Sequence, residues 1–285
     1  MKQSWAVLQS DRKLMLFPVL SSVACLFVLA SFALPIIVSP GLWNAVLRAV
    51  HEELGGKAAV QHQGMKLHLP VIVGFAFYLI NYVVIVFFNA ALVACAVKRF
   101  GGGHPTMGYG LREAGARWPQ ILAWSILAAT VGYILQAIEE RLGFVGKMVL
   151  GLVGVAWSVV TYLVVPVLAV ERVGPIRAVR RSAELLTKSW GEAVVGNLSL
   201  GATGFLLAVP GILLLIAAYQ IAVTASTLWL GLTLGVIGIA YLVACSIVTS
   251  ALQQVLLAGV YIYASTGQVP TGLSEDVLRS AFRPK

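Results

Sequence analysis

Long apolar runs alternate with short polar intervals along the chain. Six runs, residues 14–38, 70–97, 119–138, 148–170, 193–219 and 228–264, contain no Asp, Glu, Lys, Arg or His. The hydrocarbon core of a bilayer takes about 20 apolar residues per helix, so each run predicts a transmembrane helix. The sixth is too long for one perpendicular crossing; it predicts an interfacial start around residues 226–231 or a tilted helix. A transmembrane barrel does not fit, because its strands alternate apolar and polar residues and these runs are apolar throughout. The first run exceeds the roughly 7–15 apolar residues of a secretory signal and lacks a small-x-small end, so it predicts a retained anchor.

The polar intervals repeat one grammar. In residues 174–190, Pro175 suits the first helical position, where its missing N–H would be unpaired anyway. Ile176, Val179, Ala183, Leu186 and Trp190 then form an apolar stripe, with Arg177, Arg180, Arg181, Glu184 and Lys188 off it. This predicts an amphipathic helix lying among headgroups, with Trp190 marking the turn into the fifth span. In residues 101–118, three glycines and His104-Pro105 make a break, Thr106 is a predicted N-cap, and Met107, Leu111, Ala114 and Trp118 share a face away from Arg112, Glu113 and Arg117. The N-terminus reads as a shortened copy (Ser4, Trp5, Leu8), and Ser274 is placed to cap a last short helix after a break at Gly267. A further interfacial helix is predicted in the first outer loop, on Trp43, Val46, Leu47, Val50 and Leu54. The predicted fold class is therefore an all-α integral membrane protein. It has one helical domain over residues 1–285, built as three helical hairpins with interfacial amphipathic helices.

Composition agrees: 59% of the 285 residues are hydrophobic and 11% charged, against roughly 25% charged in an ordinary globular protein. Three cysteines, all within the apolar runs, rule out a disulfide scaffold and read as packing residues. The net charge of +9 leaves nucleic acid as a nominal partner until the charges are placed. Arg48, Lys57, Lys66, Arg141 and Lys147 fall on one side of the predicted membrane, and the other 15 of the 20 Lys and Arg on the opposite side. Basic residues stay inside, so both termini are expected in the cytoplasm and the protein in the inner membrane, without nucleic acid. Anionic lipids on the cytoplasmic side are the expected partners of this collar, through Arg112, Arg117, Arg177, Arg180, Arg181 and Lys188. A membrane-protein partner or a second copy is the other candidate.

Two stretches carry a resemblance. Ser4-Trp5 followed by Leu14, Leu16, Phe17 and Pro18 is one; Glu171-x-x-Gly174-Pro175-Ile176-x-Ala178, Arg181-Ser182, Leu185 and Trp190-Gly191-Glu192 is the other. With them the chain resembles a family of uncharacterised polytopic bacterial membrane proteins, a domain of unknown function. Its layout is more loosely similar to the membrane domains found beside some glycerophosphodiester phosphodiesterases. The resemblance implies helical hairpins in the cytoplasmic membrane and supplies no catalytic residue.

Intramembrane catalysis or proton coupling calls for ionisable side chains at depth, and the six runs hold none. No HExxH, P-loop, GxSxG or cysteine-pair metal motif occurs, so no catalytic residue, cofactor or metal is predicted. His51, His62 and His68 share the outer loop with Glu52 and Glu53, but their spacing fits no zinc pattern. Neutral polar residues remain: Asn81, Asn89, Asn197, Gln253 and Gln254 form a candidate intramembrane seam, either interhelical glue or a path for an amphiphile. Gly151-x-x-Gly154 and Gly231-x-x-x-Gly235 favour close helix packing, and Pro166 and Pro210 are expected to interrupt the fourth and fifth helices. The expected role is a non-enzymatic membrane module that acts through lipids or membrane partners; a passive permease for lipid or amphiphile is the alternative.

Overall fold

The computed structural model describes residues 12–39, 68–224 and 228–267; side chains at 12, 13, 36, 68–71, 188–200, 224 and 228 lie outside that description. The elements predicted around Ser4, Trp43 and Ser274, and the loop histidines His51 and His62, also fall outside the described residues. After a tight turn at Arg12–Met15 come α1 (Leu16–Val38), α2 (His68–Phe100), α3 (Met107–Gly115) and α4 (Trp118–Glu139). Then follow α5 (Phe144–Val160), α6 (Val164–Glu171), α7 (Pro175–Thr224) and α8 (Leu228–Thr266). The described residues contain no strand. Among the described residues, six stretches are long and apolar enough to cross a membrane: Leu16–Pro35, Ile72–Phe100, Trp118–Glu139, Phe144–Glu171, Gly201–Val223 and Trp229–Thr266. These follow the six apolar runs closely.

Burial is concentrated at one end. Phe17, the segment of α2 from Ala90 to Ala96, Ala114, Ile121, Leu163, Val167, Leu185 and the last part of α8 from Ala251 to Ala264 form one core. We call this the basic end, because the intervals bearing Arg99, Arg112, Arg117, Arg172 and Arg177 lie there. Towards the other end the large apolar side chains of α1, α5, α7 and α8 are exposed, Phe27, Leu152, Leu213 and Val236 among them. Helix α2 is the hub, packed against α1, α3, α4, α6 and α8. The excess length of the sixth run is resolved here: its final turns are buried in the protein's own core, and Trp229 at its start is exposed.

The fourth span is two helices. Pro166 offers no N–H to the Tyr162 carbonyl, and its ring clashes with that turn, so the helix breaks at residues 161–163. Val164 N–H bonds Thr161 O at 3.1 Å, closing a tighter turn. The buried Leu163 N–H instead finds the Ser182 hydroxyl oxygen, 3.0 Å away on α7. On one side of the break α5 has no buried residue; on the other α6 is almost wholly buried. Ser182→Ala orphans that amide, and we expect a loss of about 1–2 kcal/mol, read as a lower thermal midpoint of the purified chain. An unchanged midpoint would remove Ser182 from the clamp.

Pro210 behaves differently: α7 carries it without a break. Near it Tyr241 donates its hydroxyl to the Leu207 carbonyl at 2.9 Å, tying α8 to that turn. Nor does α7 turn at Trp190; one helix of 50 residues joins the amphipathic interval to the fifth span. A lone glycine such as Gly191 costs a helix only about 1 kcal/mol, too little to end one that is otherwise hydrogen-bonded. The buried face of α7 only partly follows the predicted stripe. Leu186 is buried and Val179 packs half-buried against the core as that stripe predicts, but Ala178, Ser182 and Leu185 are buried beside them and Ile176 is 78% exposed.

The α7–α8 hairpin packs most extensively, through glycines, as Gly231-x-x-x-Gly235 predicts. A Cβ at Gly231 would meet the Ala218 carbonyl at 2.9 Å, and one at Gly211 would meet Leu242 at 2.6 Å. Gly151 and Gly154 face open space instead, since α5 has no helix lying against that side. Of the three predicted hairpins, α1–α2 and α7–α8 are packed pairs. The third is held chiefly by the stack of Trp124 on Trp157, because the second half of the fourth span turns to α2 and α7.

Candidate functional site

Polar chemistry in the described residues gathers at the basic end. Thr106 caps α3 as predicted, its side-chain oxygen accepting the Tyr109 N–H at 3.2 Å. One helical turn then sets Glu113 four residues before Arg117, and the guanidinium bonds the carboxylate at 2.6 Å and the Glu113 carbonyl at 2.7 Å. Arg117 is only 6% exposed. Its hydrogen bond holds the Glu113 carboxyl below the usual carboxylate range, assisted by the charges of Arg172 and Arg112. Lys98 lies over the Tyr109 ring at 3.9 Å, and Arg99 Nη1 meets His104 Nδ1 at 2.7 Å.

A second cluster joins three helices at one carboxylate. Glu171, ending α6, accepts from Arg181 Nε on α7 at 3.1 Å and from the Tyr261 hydroxyl on α8 at 3.1 Å. Glu184 supports Arg181 at 3.6 Å and takes a surface pair with Arg180 at 3.4 Å. Next to Glu171 in sequence, Arg172 closes α6 with φ of 52°, the left-handed region that favours glycine.

The predicted collar therefore divides. Arg112, Arg177 and Arg180 are exposed. Arg117 and Arg181 are committed to internal carboxylates, which draws them away from solvent. Lys188 lies on α7, with its side chain outside the description. The residues of the predicted seam lie in different surroundings. Asn81 donates to the Phe77 carbonyl of its own helix at 2.9 Å, Asn89 is half-buried, and Gln253 is exposed. The Gln254 side-chain oxygen is buried without a partner in the described residues. The Asn197 side chain falls outside the description. No group of three or more metal-ligating side chains occurs among the described residues.

Sequence reading set Glu113 and Glu184 off the apolar stripes but did not pair Glu171 with Tyr261, which is 90 residues away. Only the cluster Glu171, Arg181, Ser182 within the resemblance motif pointed to it. A family model described as "Family of unknown function (DUF6159)" matches residues 69–271, which includes that motif. No curated protein and no solved structure matches the chain, so the looser likeness to the membrane domains of glycerophosphodiester phosphodiesterases has no finding behind it.

Proposed function

Because the chain belongs to this family of unknown function, we propose its role from its own residues: a multi-pass membrane module whose basic end faces the cytoplasm and engages anionic lipid. One observation carries the reading. At the basic end Glu113 and Glu171 are engaged by Arg117 and Arg181, which leaves Arg112, Arg172 and Arg177 exposed with no ion pair to a described carboxylate. Each arginine near an anionic leaflet contributes about 1 kcal/mol, and such leaflets face the cytoplasm. The 15-to-5 division of Lys and Arg supports both termini inside the inner membrane. The role is non-enzymatic and uses no cofactor. A membrane-protein partner or a second copy can share the same surface. A passive permease for lipid or amphiphile is the second reading, on the side-chain oxygen of Gln254 on α8, which is buried without a partner among the described residues.

Native mass spectrometry of the gently extracted protein tests the lipid reading. Retention of phosphatidylglycerol over phosphatidylcholine, weakening with salt, is expected; equal retention overturns it. For orientation, a cysteine-free background with Arg112→Cys or Glu140→Cys should label from outside intact cells only at position 140. The reverse pattern inverts the topology.

A further inference from the structure

Three buried polar atoms near the start of α4 have no partner among the described residues: Gln120 Oε1, Trp124 Nε1 and Ser125 Oγ. Gln120 and Trp124 stand four residues apart in one unbroken helix, so their Cβ atoms lie about 5–6 Å apart on a single ridge, with Ser125 next in the chain. Trp124 is 3% exposed and Ser125 0%. The Trp124 ring stacks on Trp157 of α5 with centroids 6.2 Å apart, and Trp118, at the start of α4, meets Phe87 of α2 at 5.9 Å. Ser125 lies seven residues beyond Trp118, about 10 Å along the axis.

Ser125 also departs from the habit of this chain. A helical hydroxyl can bond the carbonyl one turn back, and Ser22, Thr130 and Ser158 do so at 2.9, 2.7 and 2.9 Å. Ser125 does not, although a buried hydroxyl or indole N–H is ordinarily bonded. Arg117 Nε, one turn earlier, is buried without a partner too, but its guanidinium already bonds Glu113 twice.

We propose that Gln120, Trp124 and Ser125 hold ordered internal water where α4 packs against α2 and α5. The three atoms offer an acceptor, a donor and a hydroxyl that serves as either, which is the set a water molecule completes. The set carries no net charge. An anion gains nothing from the Gln120 oxygen, and a cation gains nothing from the indole N–H.

X-ray radiolysis of the full-length protein in phosphatidylcholine nanodiscs tests this, because hydroxyl radicals formed from water oxidise the side chains beside it. Trp124 should be oxidised in the wild type despite its burial. Gln120→Met with Ser125→Ala removes two of the water's partners and should slow that oxidation on the order of tenfold, with Trp118 unchanged. Oxidation of Trp124 at the same rate in both proteins overturns the proposal, and so does a wild type in which Trp124 resists oxidation because Gln120 bonds it directly. Ser125→Ala alone gives a second measurement that does not depend on the double variant folding. It should lower the thermal midpoint, because the hydroxyl loses a bonded water; a midpoint that holds or rises would mean an orphaned hydroxyl and a dry site. A lipid that the wild type retains in native mass spectrometry and Gln120→Met loses would give these atoms to a lipid hydroxyl and overturn the water.

Discussion

Glu113→Ala is expected to cost about 3 kcal/mol of stability, and adding Arg117→Met is expected to recover most of it. The reason is asymmetric. Arg117 is buried and Glu113 retains 19% side-chain exposure, so removing the carboxylate strands a charge that water cannot reach. Breaking a buried pair costs about 3–5 kcal/mol, and the remaining exposure of Glu113 sets this case at the lower end. Replacing both partners with apolar side chains removes the stranded charge. Thermal or denaturant unfolding of the two variants reads the difference, and a double variant as unstable as the single one would refute the account. Acid gives an independent arm. The folded Glu113 carboxyl lies below its ordinary value of 4.5, so it binds a proton less readily than the unfolded chain does. Its contribution is full above 4.5 and is lost as pH falls through the lowered folded value. The stability gap between wild type and Glu113→Gln should therefore narrow below that point.

Gly110→Ala should be nearly as damaging. A Cβ there would sit 2.6 Å from Cys95 Sγ, 2.7 Å from the Ala91 carbonyl and 2.8 Å from Phe17 Cζ. A flexible side chain could move aside, but the Ala91 carbonyl is part of the α2 backbone, so α3 itself must lift. Overpacking of this kind costs about 1–3 kcal/mol, and contact with backbone puts this case at the upper limit. Gly108 and Gly115 on the same helix have nothing within 4 Å, so alanine at either should be neutral or slightly stabilising through helix propensity. Three midpoints measured together decide it. Equal loss at Gly108, where alanine has open space, would mean that the close approach at Gly110 is not what makes alanine costly in α3.

These two positions show what the sequence could and could not reveal. The six apolar runs were legible because a bilayer-length stretch without charge has few other uses. The Thr106 cap and the Pro175 helix start were legible too, since each depends on one residue and its immediate neighbours. The face of α7 was legible only in part. Val179 and Leu186 pack on the core as their spacing predicts, but Ile176 read as well as Ala178, Ser182 and Leu185, and only the partner decides between them. Ala178 and Ser182 are small enough for α7 to approach α6, and Ser182 supplies the acceptor that the broken turn lacks. Pro166 and Pro210 read alike in sequence, yet only Pro166 ends a helix. Glu171 was visible as part of a motif, but its meeting with Tyr261 depends on the path of the last helix.

The core at the basic end has a further consequence, in time. Its walls come from the α2 segment ending at Phe100, from α6 and from the turns of α8 around Tyr261, so its closing contacts span a large part of the chain. During synthesis, earlier helices can enter a bilayer one by one, each satisfied by its own hydrogen bonds. Glu171 can meet Arg181 as soon as α7 is made, but its bond from the Tyr261 hydroxyl waits until the turns around Ala258 and Tyr261 leave the ribosome. Contacts of such long sequence separation form late and slowly. A chain ending before α8 would therefore lack the contacts that close this core, and it is expected to lose the cooperative unfolding transition of the full-length protein.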